Sequence, residues 1–267
     1  MSTSNLAVQR LRHPIKARLL RVDRINQITP RLVNVTFSGD DLTGFTSSSF
    51  DDHIKVFIPR NGVTVVPEAG PNGLVFPDDV ERPLARDYTP RRYDSANNVL
   101  DIEFVLHNEG PATDWVRQAR VGDQLVIAGP RGSFVIPAGF DWHIMIGDET
   151  ALPAIARRLE ELPSGVNVHV IVQVENIAEE LSFNTRADAK VTWVYRDGGS
   201  GNTLEAAVHN VVLPDGQGYV WAAGESSAMR AIHRHFVTEL GLDKSRIRAS
   251  TYWKRGVIGA HEVLGDA

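Results

Sequence analysis

The segment WHIMIGDETALPAI, Trp142–Ile155, decides the fold class of this chain. It passes from an apolar run through a short polar turn into a helical pattern, the order that is typical of a βα unit. Further strand-like runs follow it, namely VNVHVIVQV, KVTWVY, YVWAAG and RIRAST. Strands that alternate with helices indicate a parallel sheet with helices on both faces. The segment therefore predicts a parallel α/β domain over residues 139–267.

Two helices of this domain can be recognised by their apolar faces. The residues that recur at helical spacing are Leu152, Ile155, Ala156, Leu159 and Leu162 in the first helix, and Met229, Ile232, His233, Phe236 and Leu240 in the second. Gly241 is a typical residue for closing the second helix. Both helices are predicted to pack their apolar faces on the sheet.

Upstream of this segment the pattern is that of a β domain. Short apolar runs such as RLVNVTF, HIKVFIP, NVLDIEFVLH and QLVIAG alternate with Gly, Pro, Asp and Asn clusters. This pattern indicates a small antiparallel barrel or sandwich over residues 14–138, after a flexible N-terminus over 1–13. Residues 62–79 are rich in Gly and Pro and are predicted to form a surface hairpin or loop. The expected boundary between the domains is Ile136–Asp141.

Composition limits the possible functions. The 267 residues carry a formal net charge of −5 and no cysteine. The charge argues against a dedicated nucleic-acid binder, and the missing thiols exclude disulfides, iron–sulfur clusters and cysteine nucleophiles. No apolar run reaches about 18 residues and no signal peptide is recognisable, so a cytoplasmic protein without membrane spans is expected. Redox chemistry would need a bound cofactor.

A tyrosine and a threonine lie among three arginines in RDYTPRRY, residues 86–93. In an extended segment Arg86 and Tyr88 share one face and Thr89 the other, unless the chain bends at Pro90. With that bend, arginine can bind phosphate, tyrosine can stack on a flat ring, and threonine can hydrogen-bond to a ring nitrogen. These groups suit a flavin nucleotide. The alternative is an edge strand with solvated arginines and a tyrosine that covers the core.

A second phosphate-binding feature is the helix start in HNEGPATDWVRQA, residues 107–119. Gly110 and Pro111 precede an amphipathic helix. Proline at the first helical position, with small neighbours, leaves backbone N–H groups open to a phosphate at the positive end of the helix. One pyrophosphate would then bridge Arg86 and this helix start. A purely structural helix start is the alternative.

The chain resembles the siderophore-interacting proteins, a branch of the ferredoxin-reductase-like flavoproteins that reduce ferric siderophores. The motifs that carry the resemblance are, in order, RDYTPRRY, GPATDW, AGPRGSF, GDETALPAIARRLE, AGESSAMRAIHRHF and YWKRG. Each is weak alone, but the ordered set extends over about residues 14–261 and is specific. The resemblance implies a six-stranded antiparallel FAD-binding β-barrel followed by a parallel α/β nicotinamide-binding domain.

The resemblance also implies an activity. Electrons would pass from NADPH, with NADH or a ferredoxin as alternative donors, through FAD to Fe(III) of a ferric siderophore, and Fe(II) would be released. Arg86 would hold the FAD phosphate, Tyr88 would pack on the isoalloxazine ring, and Thr89 would hydrogen-bond near its N5 atom. The further FAD contacts that are implied are Arg91, His107, Gly110, Pro111, Ala112 and Thr113.

The nicotinamide nucleotide is expected at the turn after WHIMIG. This turn departs from the G-x-G-x-x-G fingerprint, and two carboxylates in it, Asp148 and Glu149, would lie close to a phosphate. Arg196 is positioned after a strand, where it would meet the 2′-phosphate of NADPH; a solvated arginine is the alternative. Glu225 stands where related reductases carry a cysteine near the nicotinamide. The complete set of expected contacts in this domain is Asp148, Glu149, Thr150, Ala151, Arg196, Gly224, Glu225 and Trp253.

The substrate is expected to meet basic residues. Lys55, Arg131, Lys254 and Arg255 lie in segments that the resemblance brings toward the flavin edge. Ferric siderophores are often anionic, and a local positive field attracts them despite the negative net charge. Taken singly, each residue is better explained as a solvated surface charge, whereas for the set the resemblance favours substrate contact. The sequence does not decide whether Lys254 or Arg255 faces the substrate, and a monomer is expected.

Two functions other than that of a reductase are alternatives. One is a flavin-loaded siderophore-binding or iron-release protein without catalysis. Another is a serine hydrolase, because GESSA imitates a nucleophile elbow at Ser226, with Asp243 and His261 following in hydrolase order. That hydrolase would lack sufficient sheet between Ser226 and His261. The nine histidines are scattered, and His233 and His235 point to different helix faces, so no metal site is expected.

Overall fold

A computed structural model of the chain describes residues 6–59, 62–71, 73–107, 110–198, 201, 203–257 and 262–264. The chain divides into two compact units. The N-terminal unit is Ala7–Ile136, and the C-terminal unit begins at Pro137. Each unit buries its own cluster of apolar side chains. Within the described residues, no helix is both long and apolar enough to cross a membrane.

The N-terminal unit is a curled antiparallel sheet with one helix against it. Its strands and its α-helix are β1 (Gln9–Arg12), β2 (Ala17–Thr29), β3 (Leu32–Ser38), β4 (Ile54–Ile58), β5 (Glu68–Gly70), β6 (Gly73–Val75), β7 (Leu84–Tyr88), β8 (Arg92–Asp94), β9 (Val99–Val105), α1 (Pro111–Gln118), β10 (Gln124–Ala128) and β11 (Gly132–Val135). The main sheet has the order β7-β4-β10-β2-β3-β9-β8, and every neighbouring pair is antiparallel. Among the described residues, no ladder joins the edge strands β7 and β8.

This sheet corrects one expectation. It has seven strands rather than six, because the turn after Asp94 folds the short β8 onto β9; the Asp94 carboxylate accepts hydrogen bonds from the backbone of Ala96 and Asn97. In a separate two-stranded sheet, Gln9–Arg12 of the segment predicted to be flexible pairs with β11. The expected hairpin over residues 62–79 is confirmed where β5 pairs with β6.

The C-terminal unit is a mixed sheet with helices. Its strands and α-helices are β12 (Trp142–Asp148), α2 (Leu152–Glu161), β13 (Asn167–Val174), β14 (Asp188–Tyr195), α3 (Leu204–His209), β15 (Gly218–Glu225), α4 (Ser226–Arg234), β16 (Ile247–Trp253) and β17 (Glu262–Leu264). The sheet order is β14-β13-β12-β15-β16-β17. The first five strands are parallel, and β17 is antiparallel to β16. The expected all-parallel sheet is therefore wrong at one edge, because the connection between β16 and β17 is shorter than a parallel crossover requires.

The apolar faces predicted for the two helices are buried to different extents. The face predicted for α2 is buried, from Leu152 to Leu162. The second helix changes geometry after α4 and continues as a π-helix, His235–Glu239. The wider π turn rotates later residues away from the predicted face, so that Leu240 is exposed.

Candidate functional site

The end of β7 and the start of α1 are linked through aromatic side chains. The Tyr88 ring lies 4.5 Å from that of Phe104, centroid to centroid, and the Phe104 ring lies 6.0 Å from that of Trp115 in α1. The strand ends at Tyr88, so Thr89 and Pro90 leave the regular alternation, as the predicted bend requires. The structure therefore brings two of the predicted FAD-binding segments onto the same core.

Two polar groups at this strand end are available to a ligand. The Thr89 side chain is 7% exposed, and its hydroxyl has no hydrogen-bond partner in the part of the chain that the structure describes. The half-buried Arg86 guanidinium donates to the adjacent carbonyl oxygen of Ala85 at 2.7 Å. A hydroxyl and a guanidinium three residues apart at one strand end are a donor set that fits the ring and phosphate of a flavin nucleotide.

Tyr88 is held as a neutral phenol. Burial raises the pKa of its hydroxyl well above the usual value, and the nearby Arg86 opposes this only in part. The ring packs against the core of the N-terminal unit and remains partly exposed. It thus offers an uncharged flat surface.

Arg91 and His107 have partners within the N-terminal unit that the sequence did not indicate. Arg91 Nε lies 3.3 Å from Glu103 Oε1, and both side chains are largely buried. The backbone N–H of His107 donates to Thr113 Oγ1 at 3.2 Å, which ties the end of β9 to the first turn of α1. The Arg91 ion pair joins positions twelve apart, one just before β8 and one in β9, so it follows from strand pairing rather than from a motif.

The start of α1 carries no side-chain cap. Gly110 precedes the helix with φ 150°, a backbone conformation that other residues rarely adopt, and Pro111 is the first helical residue. Apart from its chain neighbours, no described atom lies within 4 Å of the position that a Cβ atom of Gly110 would take. Among the described residues, no side chain accepts the N–H groups of Ala112 and Thr113 at the positive end of the helix. This cradle fits a pyrophosphate.

The C-terminal unit closes its corresponding turn with its own carboxylate. Asp148, at the end of β12, is 3% exposed. One carboxylate oxygen accepts the Thr150 backbone N–H at 2.9 Å; the other accepts the Glu225 N–H at 3.0 Å and the Trp253 Nε1–H at 2.8 Å. Gly224 allows this approach, because a Cβ atom there would lie 2.6 Å from Asp148 Oδ2. Asp148 thus joins the ends of β12, β15 and β16.

The start of α4 is closed in the same way. The Glu225 carboxylate accepts the backbone N–H groups of Ser227 and Ala228, at 2.6 and 3.3 Å. Partial burial opposes its ionisation, but the hydrogen bonds from Ser227 prevail and hold the pKa of Glu225 below its usual value. At both turns of this unit a carboxylate therefore accepts backbone N–H groups of the turn, and the nucleotide site after β12 stays a prediction.

Arg196 lies in an ion pair. Its guanidinium is 2.6 Å from Glu149 Oε2, and the two side chains are 30% and 18% exposed. Burial and the neighbouring Asp148 raise the pKa of Glu149, whereas Arg196 lowers it. Arg196 is thus neither fully solvated nor unpaired, and a phosphate that binds to it would compete with Glu149. Ala151, beside these residues, is buried.

Lys55 and Arg131 line the same cleft in the N-terminal unit. The cleft has a volume of about 250 Å³, and its lining includes Lys55, Arg131, His53, Phe57, Leu74 and Phe76. Lys55 Nζ lies 2.8 Å from Asp87 Oδ1, a partner that faces it across the β4–β7 ladder. Lys254 and Arg255 belong to the C-terminal unit and are exposed there. The convergence of all four remains a prediction.

The hydrolase alternative has no support in the C-terminal unit. Ser226 is 2% exposed, and its hydroxyl accepts a hydrogen bond from Arg230 at 2.6 Å. Asp243 accepts hydrogen bonds from Ser245. His261 lies outside the described residues. Among the described residues, no base contacts the Ser226 hydroxyl, and a serine nucleophile needs such a contact for its activation.

Comparisons with known proteins give consistent matches. A model described as siderophore-interacting FAD-binding domain matches residues 21–134, and one described as siderophore-interacting protein matches residues 140–256. The NADPH-dependent ferric-chelate reductase of Escherichia coli is 34% identical, over 92% of this chain and 96% of the relative. The ferric vibriobactin reductase of Vibrio cholerae is 34% identical over 90% of both chains. The crystal structure of a siderophore utilization protein from T. fusca superposes with a TM-score of 0.87 at 37% identity, covering 95% of this chain and 98% of that one.

Proposed function

The chain belongs to the siderophore-interacting protein family, and we propose that it is a flavoprotein reductase that passes electrons from NAD(P)H through FAD to Fe(III) of a ferric siderophore. The observation that carries this proposal is the 34% identity, over 92% of the chain, to the protein named NADPH-dependent ferric-chelate reductase. The ferric vibriobactin reductase supports the same reaction type. Reduction releases the iron, because hard oxygen donors hold Fe(II) less tightly than Fe(III).

FAD would be held by the N-terminal unit. The uncapped start of α1, from Gly110 to Thr113, would hold the pyrophosphate, and Arg86 would neutralise its charge. Thr89 would hydrogen-bond to the flavin ring, and Tyr88 would cover it with a neutral aromatic face. When bound, FAD supplies the redox chemistry, which is acceptance of a hydride and release of single electrons. The tasks of the chain are binding, orientation and access.

The cleft that Lys55 and Arg131 line would receive the ferric chelate. Two cations at its mouth attract an anionic chelate, and Phe57 and Phe76 offer apolar contact. In the free protein, the ion pair with Asp87 offsets part of the positive field of Lys55. Lys254 and Arg255 are proposed to complete the substrate site.

NADPH is the proposed donor, with NADH and a ferredoxin as the alternatives, and the working form is proposed to be a monomer. The support for NADPH is Arg196, a partly buried guanidinium near the ends of the parallel strands. It would exchange Glu149 for the 2′-phosphate. The turn formed by Asp148, Thr150 and Gly224 would shape the nucleotide site through its hydrogen bonds rather than through an open helix start.

The proposal is tested by absorbance spectroscopy of the purified protein under anaerobic conditions. We expect a flavin spectrum that bleaches on addition of NADPH and recovers on addition of a ferric siderophore, while a ferrous chelator traps the product. A flavin that no nicotinamide or ferredoxin reduces would instead identify a flavin-loaded siderophore-binding or iron-release protein.

The substrate site is tested in the recovery step alone. A variant with Lys55→Ala and Arg131→Ala should reoxidise more slowly with an anionic ferric chelate at low salt, and the difference should shrink as salt rises, because exposed charges are screened over about 8 Å at physiological ionic strength. Arg21→Ala, which removes an exposed cation of β2 outside the cleft, is the matched control. Equal reoxidation rates in wild type and double variant would place the chelate elsewhere.

A further inference from the structure

Two histidines and a glutamate meet between two helical elements of the C-terminal unit. His209 is the last residue of α3, and His235 and Glu239 are the first and last residues of the π-helix. One potential ligand atom from each lies within 4.8 Å of the other two. Glu239 Oε2 is 2.7 Å from His235 Nδ1 and 3.8 Å from His209 Nδ1. The three side chains therefore converge on one point.

The backbone fixes these side chains. Val208 and Phe236, the sequence neighbours of the two histidines, are buried in the same apolar cluster. The Leu240 N–H donates to the His235 carbonyl at 3.0 Å, the i→i+5 bond of the π-helix. Such widened turns are frequent at functional sites. The cluster is thus presented by two anchored elements and not by a loose surface loop.

The distances suit a shared metal ion. Zinc binds histidine nitrogen and carboxylate oxygen at about 2.0–2.2 Å, so two ligand atoms on one tetrahedral ion lie about 3.3 Å apart. The separations of 2.7 and 3.8 Å bracket that value. Small rotations of the exposed Glu239 side chain would therefore admit an ion between the three groups.

The burial pattern indicates an accessible site. The His235 side chain is 7% exposed, whereas those of His209 and Glu239 are 56% and 49% exposed. Two imidazoles and a carboxylate are a ligand set for zinc and its neighbours in the first transition row.

We propose that His209, His235 and Glu239 bind one divalent first-row transition-metal ion of the zinc class, with water in the remaining coordination position. The contribution of His209 separates this proposal from a simple hydrogen-bonded pair, which His235 and Glu239 form without it. The sequence did not indicate the site, because His209 lies on a different element from the other two ligands. The proposal does not depend on the reductase activity.

The test uses the full-length, FAD-loaded protein without an affinity tag, treated with a chelator and then titrated. Zn²⁺ binding is followed by calorimetry, and Co²⁺ binding by its visible ligand-field bands. We expect one ion per chain, with affinity reduced at least roughly tenfold in His209→Ala and in Glu239→Gln. Both residues are exposed, so these substitutions spare the core. His233→Ala, a half-buried histidine of the adjacent turn, is the matched control and should bind like wild type.

Two results would overturn the proposal. The first is the absence of saturable Zn²⁺ binding to wild type up to about 1 mM, the range of weak association. The second is equal affinity in wild type, His209→Ala and Glu239→Gln, which would place the bound ion elsewhere. Either result would leave His235 and Glu239 as a hydrogen-bonded pair within the π-helix.

Discussion

Two helix starts of this protein differ in whether a side chain caps their backbone N–H groups. The start of α1 in the N-terminal unit has Gly110 and Pro111, no side-chain cap and open space beside the backbone. The start of α4 in the C-terminal unit is capped by the carboxylate of Glu225. The turn that leads into α2 is likewise occupied by Asp148. Only an open start can offer its N–H groups to the phosphate of a ligand.

The difference indicates how each unit would hold a nucleotide. The N-terminal unit can use backbone N–H groups and the helix dipole for the pyrophosphate of FAD. The C-terminal unit has already used these groups for its own stability, so a nucleotide there must rely on side chains such as Arg196. A tightly held cofactor in the first unit and an exchanging donor in the second are consistent with this division.

The largest expected effect concerns the carboxylate that closes the α2 turn. Asp148→Asn replaces one carboxylate oxygen by an NH₂ group. If it takes the place of Oδ2, it faces the N–H donors of Glu225 and Trp253, and if it takes the place of Oδ1, it faces the N–H donor of Thr150. The free energy of unfolding should fall by about 3 kcal/mol, because buried donors lose a charged acceptor. Chemical denaturation followed by circular dichroism measures this.

Asp243→Asn, at an exposed cap, is the control, and its free energy of unfolding should change little; FAD affinity should be spared in both variants. Unchanged stability in Asp148→Asn would show that Asp148 is not a structural clamp.

The second effect adds a carboxylate to the open helix start. Gly110→Asp and Gly110→Asn have the same shape and share any backbone strain at φ 150°, so their difference isolates the charge. FAD should bind to Gly110→Asp less tightly than to Gly110→Asn by about 2 kcal/mol, or roughly thirtyfold, because a carboxylate repels the pyrophosphate. Titration of the apoprotein by flavin fluorescence measures both constants. Equal affinities would mean that the pyrophosphate does not bind at α1.

The third effect concerns the proposed contact between Arg196 of the C-terminal unit and the 2′-phosphate of NADPH. Arg196→Ala should raise the Michaelis constant for NADPH about tenfold, or about 1.4 kcal/mol, the lower range for a charge-assisted contact because Glu149 already competes for the guanidinium. Glu149→Gln should act in the opposite direction by releasing Arg196. Steady-state kinetics with NADH provide the internal control, since NADH lacks the 2′-phosphate. Equal changes for both cofactors would contradict a 2′-phosphate contact.

The smallest effect concerns the cap of α4. Glu225→Ala should lower the free energy of unfolding by about 1 kcal/mol at neutral pH, as expected for the loss of a helix cap. The folded-state pKa of Glu225 lies below its unfolded value, so this contribution is present above the unfolded pKa and is lost as the pH falls through the folded one. The difference between wild type and variant should therefore narrow below about pH 4.

Denaturation curves at neutral and acidic pH test this prediction. Ser227→Ala, which removes a hydroxyl but keeps the backbone N–H that Glu225 accepts, is the matched control and should lose less stability. A difference between wild type and Glu225→Ala that persists unchanged in acid would show that the charge of the cap is not responsible.

Part of the site could be predicted because its chemistry is local. The neighbourhood of Arg86, Tyr88 and Thr89, and the uncapped start at Gly110, depend on short stretches whose backbone geometry follows from proline, glycine and strand alternation. The family resemblance added roles for these residues. The ion-pair partners of two other predicted site residues could not be predicted, because Glu103 meets Arg91 and Asp87 meets Lys55 only after strands pair in a particular register.

The sequence alone determined the β domain followed by an α/β domain, the positions of the main strands along the chain and the segments that carry the flavin-binding motif. These features follow from periodicity and turn chemistry, which act between neighbouring residues. Tertiary structure decided the seventh strand, the antiparallel edge, the exposure of Leu240 just after the π-helix and the closure of two turns by Asp148 and Glu225. Asp148 draws partners from β15 and β16, far along the chain, and the cluster around Glu239 joins two helical elements. Such contacts depend on how elements pack, and no local pattern encodes that packing.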